Sequence, residues 1–232
     1  ATRREIEAVW QWHIVDKETG ECNRHGDGKH GCDFAMSGGE MLCAFAFLYQ
    51  KSGEPVWLDR ARLLADYYWN ARHPETQLIP NRPNAGQHRF DGGHFDTSIT
   101  GFLCHRLLAA SRLAGEPSFG EQAVVYLKAY ARLGYDQQAG RYWGSLKLDG
   151  TPVHGPRVRG GYGQYEPRGH IDMWEPYAAG YENPIYTAQT YALAAEHTGD
   201  ESLLMAARRW ADSIRRDFPP RSCNENGWYQ GY

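Results

Sequence analysis

Residues 52–68 read SGEPVWLDRARLLADYY, and the block returns as AGEPSFGEQAVVYLKAY at 114–130 and TGDESLLMAARRWADSI at 198–214. Gly53, Gly115 and Gly199 coincide, as do Glu54, Glu116 and Asp200, then Trp57, Phe119 and Leu203, then Ala61, Ala123 and Ala207. The preceding residues are also alike: FAFLYQK, LLAASRL and YALAAEH. Each unit reads as helix, glycine stop, acidic start, helix. Glycine releases the first helix in a left-handed turn. The acid then sits where the next helix exposes its N–H groups and the positive end of its dipole. The chain is a repeated helical hairpin, with first helices expected near 37–51, 95–114 and 183–198 and second helices near 55–71, 117–133 and 201–217.

The repeat is uneven: 62 residues separate Gly53 from Gly115 and 84 separate Gly115 from Gly199. A solenoid of short repeats keeps a nearly fixed period of roughly 33–47 residues. Here the surplus lies in the links from one hairpin to the next, and long structured loops on a rigid scaffold are where function concentrates.

The opening stretch reads as an amphipathic helix over 1–15, with Ile6, Trp10, His13 and Ile14 on one face. It leaves through Asp16-x-x-Thr19-Gly20. The same kind of exit follows the later second helices at His73–Gln77 and Asp136–Gly140. The expectation is a single partial domain over 1–232, about three and a half hairpins, continuing beyond both ends.

A chain that is 41% hydrophobic with a net charge of −3 fits a globular protein with a core and argues against nucleic acid as partner. No apolar run is long enough to span a membrane. With 8 Trp, 15 Tyr and 8 Phe, the aromatic residues either fill a helical core or offer flat stacking faces to sugar rings. Cys22, Cys32, Cys43, Cys104 and Cys223 include no CxxC pair. Cys43 and Cys104 fall on first helices as core residues, while Cys22 and Cys32 share one link and could pair only in an oxidising compartment.

The first helices are rich in small residues and weakly charged; the second helices carry the charge. A helix apolar nearly all round is buried, and a charged stripe faces water. The fold expected is therefore all-α, an inner and an outer ring of helices curling into an α/α toroid, with an open superhelix as the competing geometry. Together with link phrases rich in aromatics, Arg, His and acids just before each inner helix, this resembles the α/α-toroid enzymes that act on carbohydrates: toroid polysaccharide lyases, six-hairpin glycosidases and the N-acylglucosamine 2-epimerase group. The resemblance is architectural and carries no family-defining catalytic motif. It implies an active site in the funnel formed by the links and the inner-helix starts.

Three links offer side chains for that funnel. Link A, 22–40, supplies His25, Asp27, Lys29, His30, Asp33 and Glu40. No cofactor is called for. His25 and His30 admit a divalent metal without matching a recognised ligand spacing. Link B, 80–97, gathers Arg82, His88, Arg89, Asp91, His94 and Asp96 immediately before an inner helix. An N-cap role explains Asp96 alone. Link C, 142–184, holds His154, Arg157, Arg159, Tyr162, Tyr165, Glu166, Arg168, His170, Asp172, Trp174, Glu175, Tyr181 and Glu182. Its 154–170 stretch has three Arg against one acid, and positive charge in a cleft draws anions. The plainer reading is a covering loop whose arginines pair with neighbouring glutamates.

Four functions fit. The first is β-elimination on an acidic, uronate-containing polysaccharide, which needs a cation for the carboxylate, a base for the C5 proton and an acid for the leaving oxygen. For it, His88, Arg89, His94, Asp96, Tyr165 and His170 are the catalytic candidates. Arg82, Asp91, Arg157, Arg159, Tyr162, Arg168, Asp172, Trp174, Glu175, Tyr181 and Glu182 are the substrate-binding ones. The second is glycoside hydrolysis, which needs two carboxyl groups roughly 5–10 Å apart. The third is epimerisation of a free sugar by a pair such as His94 and His170. The fourth is a non-enzymatic scaffold, which would not need links of this length and composition. The partner expected is a carbohydrate, with no nucleic acid or membrane and the oligomeric state open. The setting favoured is secreted or periplasmic over cytoplasmic.

Overall fold

In a computed structural model describing residues 2–22, 35–81, 93–95, 97–156, 173–174, 177 and 184–217, the three stop glycines all adopt the left-handed conformation, with φ of +70°, +65° and +71° at Gly53, Gly115 and Gly199. A side chain is strained there, which is why each block carries glycine. The helices that flank them are α2 (Ala35–Ser52) and α3 (Pro55–Ala71), α4 (Cys104–Ala114) and α5 (Pro117–Leu133), and α6 (Pro184–Thr198) and α7 (Glu201–Asp217). A seven-residue π-helical segment, Thr97–Leu103, runs directly into α4, so the inner helix begins at 97 rather than 95. The opening helix α1 is Thr2–Trp12, shorter than its periodicity suggested. Ile14 leaves it to pair its backbone with Cys22 in an isolated bridge and is buried there.

The exit turns share one construction. Asp16 Oδ1 accepts from the backbone N–H of Glu18 and Thr19 at 2.8 and 3.1 Å. Asp136 Oδ1 accepts from Gln138 and Ala139 at 2.9 and 3.1 Å. The fifth residue closes each turn at positive φ: Gly20, Gly140 and, in the middle copy, Gln77 at φ +65°. Gln77 is held in that conformation by side-chain bonds, accepting from Arg72 Nε at 2.7 Å and donating to the Pro74 carbonyl at 2.5 Å.

The first helices α2, α4 and α6 pack side by side, and the second helices α3, α5 and α7 line up behind them. This is the expected two-ring polarity. Between the rings lie Phe45, Trp57, Tyr68, Phe119, Tyr126, Tyr130, Tyr191 and Trp210, all fully buried, so much of the aromatic content is core. Cys104 is buried as expected. Cys43 is half-buried, and burial raises its thiol pKa. Cys22 lies with its Sγ 3.5 Å from Tyr68 Oη, and Cys32 lies outside the described residues.

The acids that open the second helices do more than face a dipole. Glu116 and Asp200 accept from Ser118 N–H at 3.4 Å and Ser202 N–H at 2.8 Å. Glu54 makes no such cap bond. All three reach to the preceding outer helix: Arg3 binds Glu54, Arg62 Nε binds Glu116 at 2.9 Å, and Lys128 binds Asp200 at 2.5 Å. These rungs tie successive hairpins along the outer wall.

The described parts of the links are woven together where outer helices end and inner helices begin. Strand β1 (His94–Phe95) pairs antiparallel with β4 (Ser145–Leu146), and the short hairpin of β2 (Tyr135–Asp136) and β3 (Arg141–Tyr142) precedes it. Strand β5 (Gly155–Pro156) pairs with β6 (Met173–Trp174). Asn81 N–H donates to the Gly93 carbonyl at 2.7 Å and the Asn81 carbonyl accepts from Ala35 N–H at 2.9 Å, which joins link B to the start of α2. Among the described residues no helix is long and apolar enough to cross a membrane.

Candidate functional site

Helical phase fixes what faces the ring interior. On α2, a Cβ on Gly38 would meet Tyr68 Oη of α3 at 2.2 Å, so that side lies against the outer helix. A Cβ on Gly39 would meet Leu103 Cα at 3.1 Å and Arg106 Cβ at 3.3 Å, so the next side lies against the inner neighbour. Each residue advances about 100° around a helix, so Glu40 points away from α3. The half-exposed positions Cys43 and Phe47 continue that stripe, and Phe102, His105 and Arg106 form its counterpart on the π-helical segment and α4.

Two pairs stand on this interior face near the mouth. Arg106 Nε donates to Glu40 Oε1 at 2.8 Å, and Nη2 forms an ion pair with the same oxygen at 2.7 Å. His105 Nδ1 lies 3.2 Å from Tyr186 Oη, near the start of α6. The two rings are 4.6 Å apart, and Phe102 flanks Tyr186 at 4.8 Å. Burial lowers the His105 pKa first, the Arg106 and Arg112 charges lower it further, and Glu40 opposes them, so the ring is neutral at neutral pH. The π-helical segment has its own support: Thr190 Oγ1 of α6 donates to the Gly101 carbonyl at 3.2 Å. Such segments interrupt regular helix hydrogen bonding and recur at functional sites. Among the described residues no group of three His, Cys, Asp or Glu could hold a metal ion.

His94 was the one catalytic candidate whose side chain is described, and it is fully buried. Its ring stacks on Tyr130 of α5 at 4.9 Å and 26°. Nε2 lies 3.2 Å from Thr100 Oγ1. Nδ1 makes no well-formed hydrogen bond, although the Ile79 backbone lies close enough to favour protonation slightly. Burial pushes the pKa down to about 3. A neutral ring sealed inside the wall holds β1 against α5 and is not placed to exchange protons with a substrate. Trp174 is described as backbone only, paired with Gly155. The other candidates lie outside the described residues: Arg82, His88, Arg89, Asp91, Asp96, Arg157, Arg159, Tyr162, Tyr165, Arg168, His170, Asp172, Glu175, Tyr181 and Glu182. So do His25 and His30.

Link C also builds an aromatic stack that sequence reading did not single out. Tyr177 lies on Trp143 at 4.6 Å and 21°, and exposed His154 lies on Trp143 at 6.4 Å and 25°. Tyr177 Oη donates to Asp136 Oδ2 at 2.9 Å, pinning the link to the outer rim. The interior pairs were missed for a different reason. His105, Arg106 and Tyr186 sit within helices, where a polar residue reads as a solvated face. The detectable signal was an adjacent His-Arg within an otherwise weakly charged inner helix.

No protein-family model and no curated protein matches the chain. Solved structures do. A cellobiose 2-epimerase of Spirochaeta thermophila is similar over 94% of this chain and 55% of its own, with a TM-score of 0.57 at 14% identity. A glycoside hydrolase family 76 mannosidase of Bacteroides thetaiotaomicron is similar over 94% of this chain and 54% of its own, with a TM-score of 0.57 at 13% identity. An unsaturated glucuronyl hydrolase of Bacillus sp. GL1 is similar over 81% and 46%, with a TM-score of 0.54 at 14% identity. The fold is an α/α toroid. The chain spans about half the length of these structures. The toroid gives the geometry above its meaning: α2, α4 and α6 belong to the inner ring, and their interior stripe faces the ring axis.

Proposed function

We propose that the chain forms part of a carbohydrate-active enzyme that cleaves an acidic, uronate-containing polysaccharide by β-elimination. One observation carries the reading: a cation and a proton-transfer pair stand side by side on the interior face, Arg106 next to His105 and Tyr186. Elimination asks for these groups. Arg106 neutralises the uronate carboxylate and so acidifies the C5 proton. The neutral His105 ring takes that proton, and the electron pair of the C5–H bond becomes the C4–C5 double bond. The C4–O4 bond breaks, and Tyr186 gives its phenolic proton to the departing oxygen. The proton on His105 then returns to the phenolate along the 3.2 Å hydrogen bond. Arg89, Arg157 and Arg168, outside the described residues, are the further cations the sequence offers for an acidic substrate.

Epimerisation is the second reading, favoured by the same pair, since it too removes and returns a proton at a sugar carbon. Hydrolysis needs two carboxyl groups. Among the described residues, the mouth halves of the inner helices carry only Glu40, which Arg106 already holds. The test is to incubate the protein with a panel of polyuronates and neutral glycans, following ultraviolet absorbance and reducing ends together. Both signals should rise on a polyuronate, through a 4,5-unsaturated product. Reducing ends without absorbance would replace elimination by hydrolysis. Neither signal, with a free sugar changing configuration, would establish the epimerase. No change on any sugar would favour a binding scaffold.

A further inference from the structure

We propose that Glu40 is a built-in stand-in for the carboxylate of an anionic sugar, occupying Arg106 until the sugar's own carboxylate displaces it. The proposal rests on the interior face being the sugar site and deepens that reading by naming what the site is charged to receive.

The geometry of the pair supports exchange. Arg106 turns both Nε, which donates at 2.8 Å, and Nη2, an ion-pair contact at 2.7 Å, toward a single oxygen, Glu40 Oε1. Among the described residues Glu40 Oε2 accepts nothing and Arg106 Nη1 donates to nothing. Elsewhere an arginine meets both oxygens of its partner: Arg3 donates to Glu54 Oε1 and Oε2, and Arg60 to Glu7 Oε2 and Oε1. A ligand carboxylate arriving from the ring axis could put one oxygen on each donor of Arg106, the stronger arrangement. Glu116 also meets its arginine through one oxygen, but its other oxygen is taken by Ser118. Glu40 has no such second duty.

Exposure gives the exchange a direction. The Glu40 side chain is 49% exposed and the Arg106 side chain 28%. The acid can swing into water at little cost, because half-exposed pairs hold each other weakly. The guanidinium is the more desolvated partner and stays where a ligand must meet it. Its place is fixed by the backbone: Gly39 lets α2 close on Leu103 and Arg106 to within a Cβ's reach. His105, one half of the proton-transfer pair, adjoins Arg106 on α4, and Tyr186, the other half, stands on α6. An arginine meant only to bolt α2 to α4 would not need its carboxylate on the wet side.

The experiment compares binding of glucuronate and glucose by two-dimensional NMR on the wild type, Glu40→Gln and Arg106→Gln. Far-ultraviolet circular dichroism and thermal unfolding confirm that each variant is folded. Glu40→Gln should tighten glucuronate by about tenfold, the scale of one charged hydrogen-bonded competitor removed, and leave glucose unchanged. Arg106→Gln should abolish the difference between the two sugars, and Arg106→Lys, which keeps the charge but not the planar edge, should restore part of it. The proposal falls if Glu40→Gln binds glucuronate no better than the wild type, if glucose tightens equally, or if no form binds glucuronate. Its fate is separable from that of elimination. Tighter glucuronate binding without absorbance on any polyuronate would sink the lyase and leave the stand-in. Absorbance on a polyuronate with Glu40→Gln unchanged would do the reverse.

Discussion

Two histidines eleven positions apart occupy opposite environments. His94 lies inside the wall, stacked on Tyr130, where burial holds it neutral down to a pKa of about 3. His105 stands on the interior face, half-buried, with Tyr186 at its Nδ1 and Arg106 beside it. The same imidazole is a packing plate in one place and, in the other, a half-buried ring facing a phenol, where the proposed elimination uses it as the proton acceptor. The ring type decides neither role. What decides is whether the neighbouring groups seal the nitrogens or leave them facing a polar partner and the ring axis.

The largest effect that could break this contrast is on stability. His94→Ala should cost about 3 kcal/mol, because it empties a sealed slot beside Tyr130, while His105→Ala should cost under about 1 kcal/mol. Urea denaturation of both variants checks this, and equal losses would erase the distinction. The acid limb sharpens it further. The unfolded chain protonates His94 near pH 6.5, whereas the folded chain resists until about pH 3. Within that window the unfolded state binds the extra proton, so stability is full above pH 6.5 and falls as the pH drops, by up to about 1.4 kcal/mol per pH unit. His94→Phe should keep the stacking and flatten this slope relative to the wild type. An unchanged slope would mean that His94 is not the sealed group. The smallest effect is a shift at His105 read by NMR titration. Arg106→Gln removes a charge that lowers its pKa and should raise it; Glu40→Gln removes one that raises it and should lower it. His94 should not respond to either change.

The outer wall was legible because its rules are local. Gly53, Gly115 and Gly199 had to leave the right-handed region for the second helices to start, and all three do. Asp16 and Asp136 carry the short acceptor that closes an exit turn within three residues. The one departure, Gln77 at positive φ, is also held locally, by Arg72 and the Pro74 carbonyl, but through side-chain bonds that no residue-type rule announces.

The interior face was less legible. Glu40 stood at the end of a loop phrase, and Arg106 looked like one more helical charge. They meet across 66 positions of sequence because Gly39 removes the Cβ that would keep α2 from α4. Link B shows the opposite case at His94, its one candidate whose side chain is described. A density of His, Arg and Asp signals chemistry only if the side chains face outward, and β1 pairing with β4 turned His94 into the core.

By itself the sequence determined the hairpin, its stops, its exits and the two-ring polarity, because backbone conformation and helical periodicity are short-range properties of the chain. Only the tertiary structure decided which polar groups face the ring axis. A helix states its period but not its phase against neighbours, and that phase depends on which helices come close enough to touch.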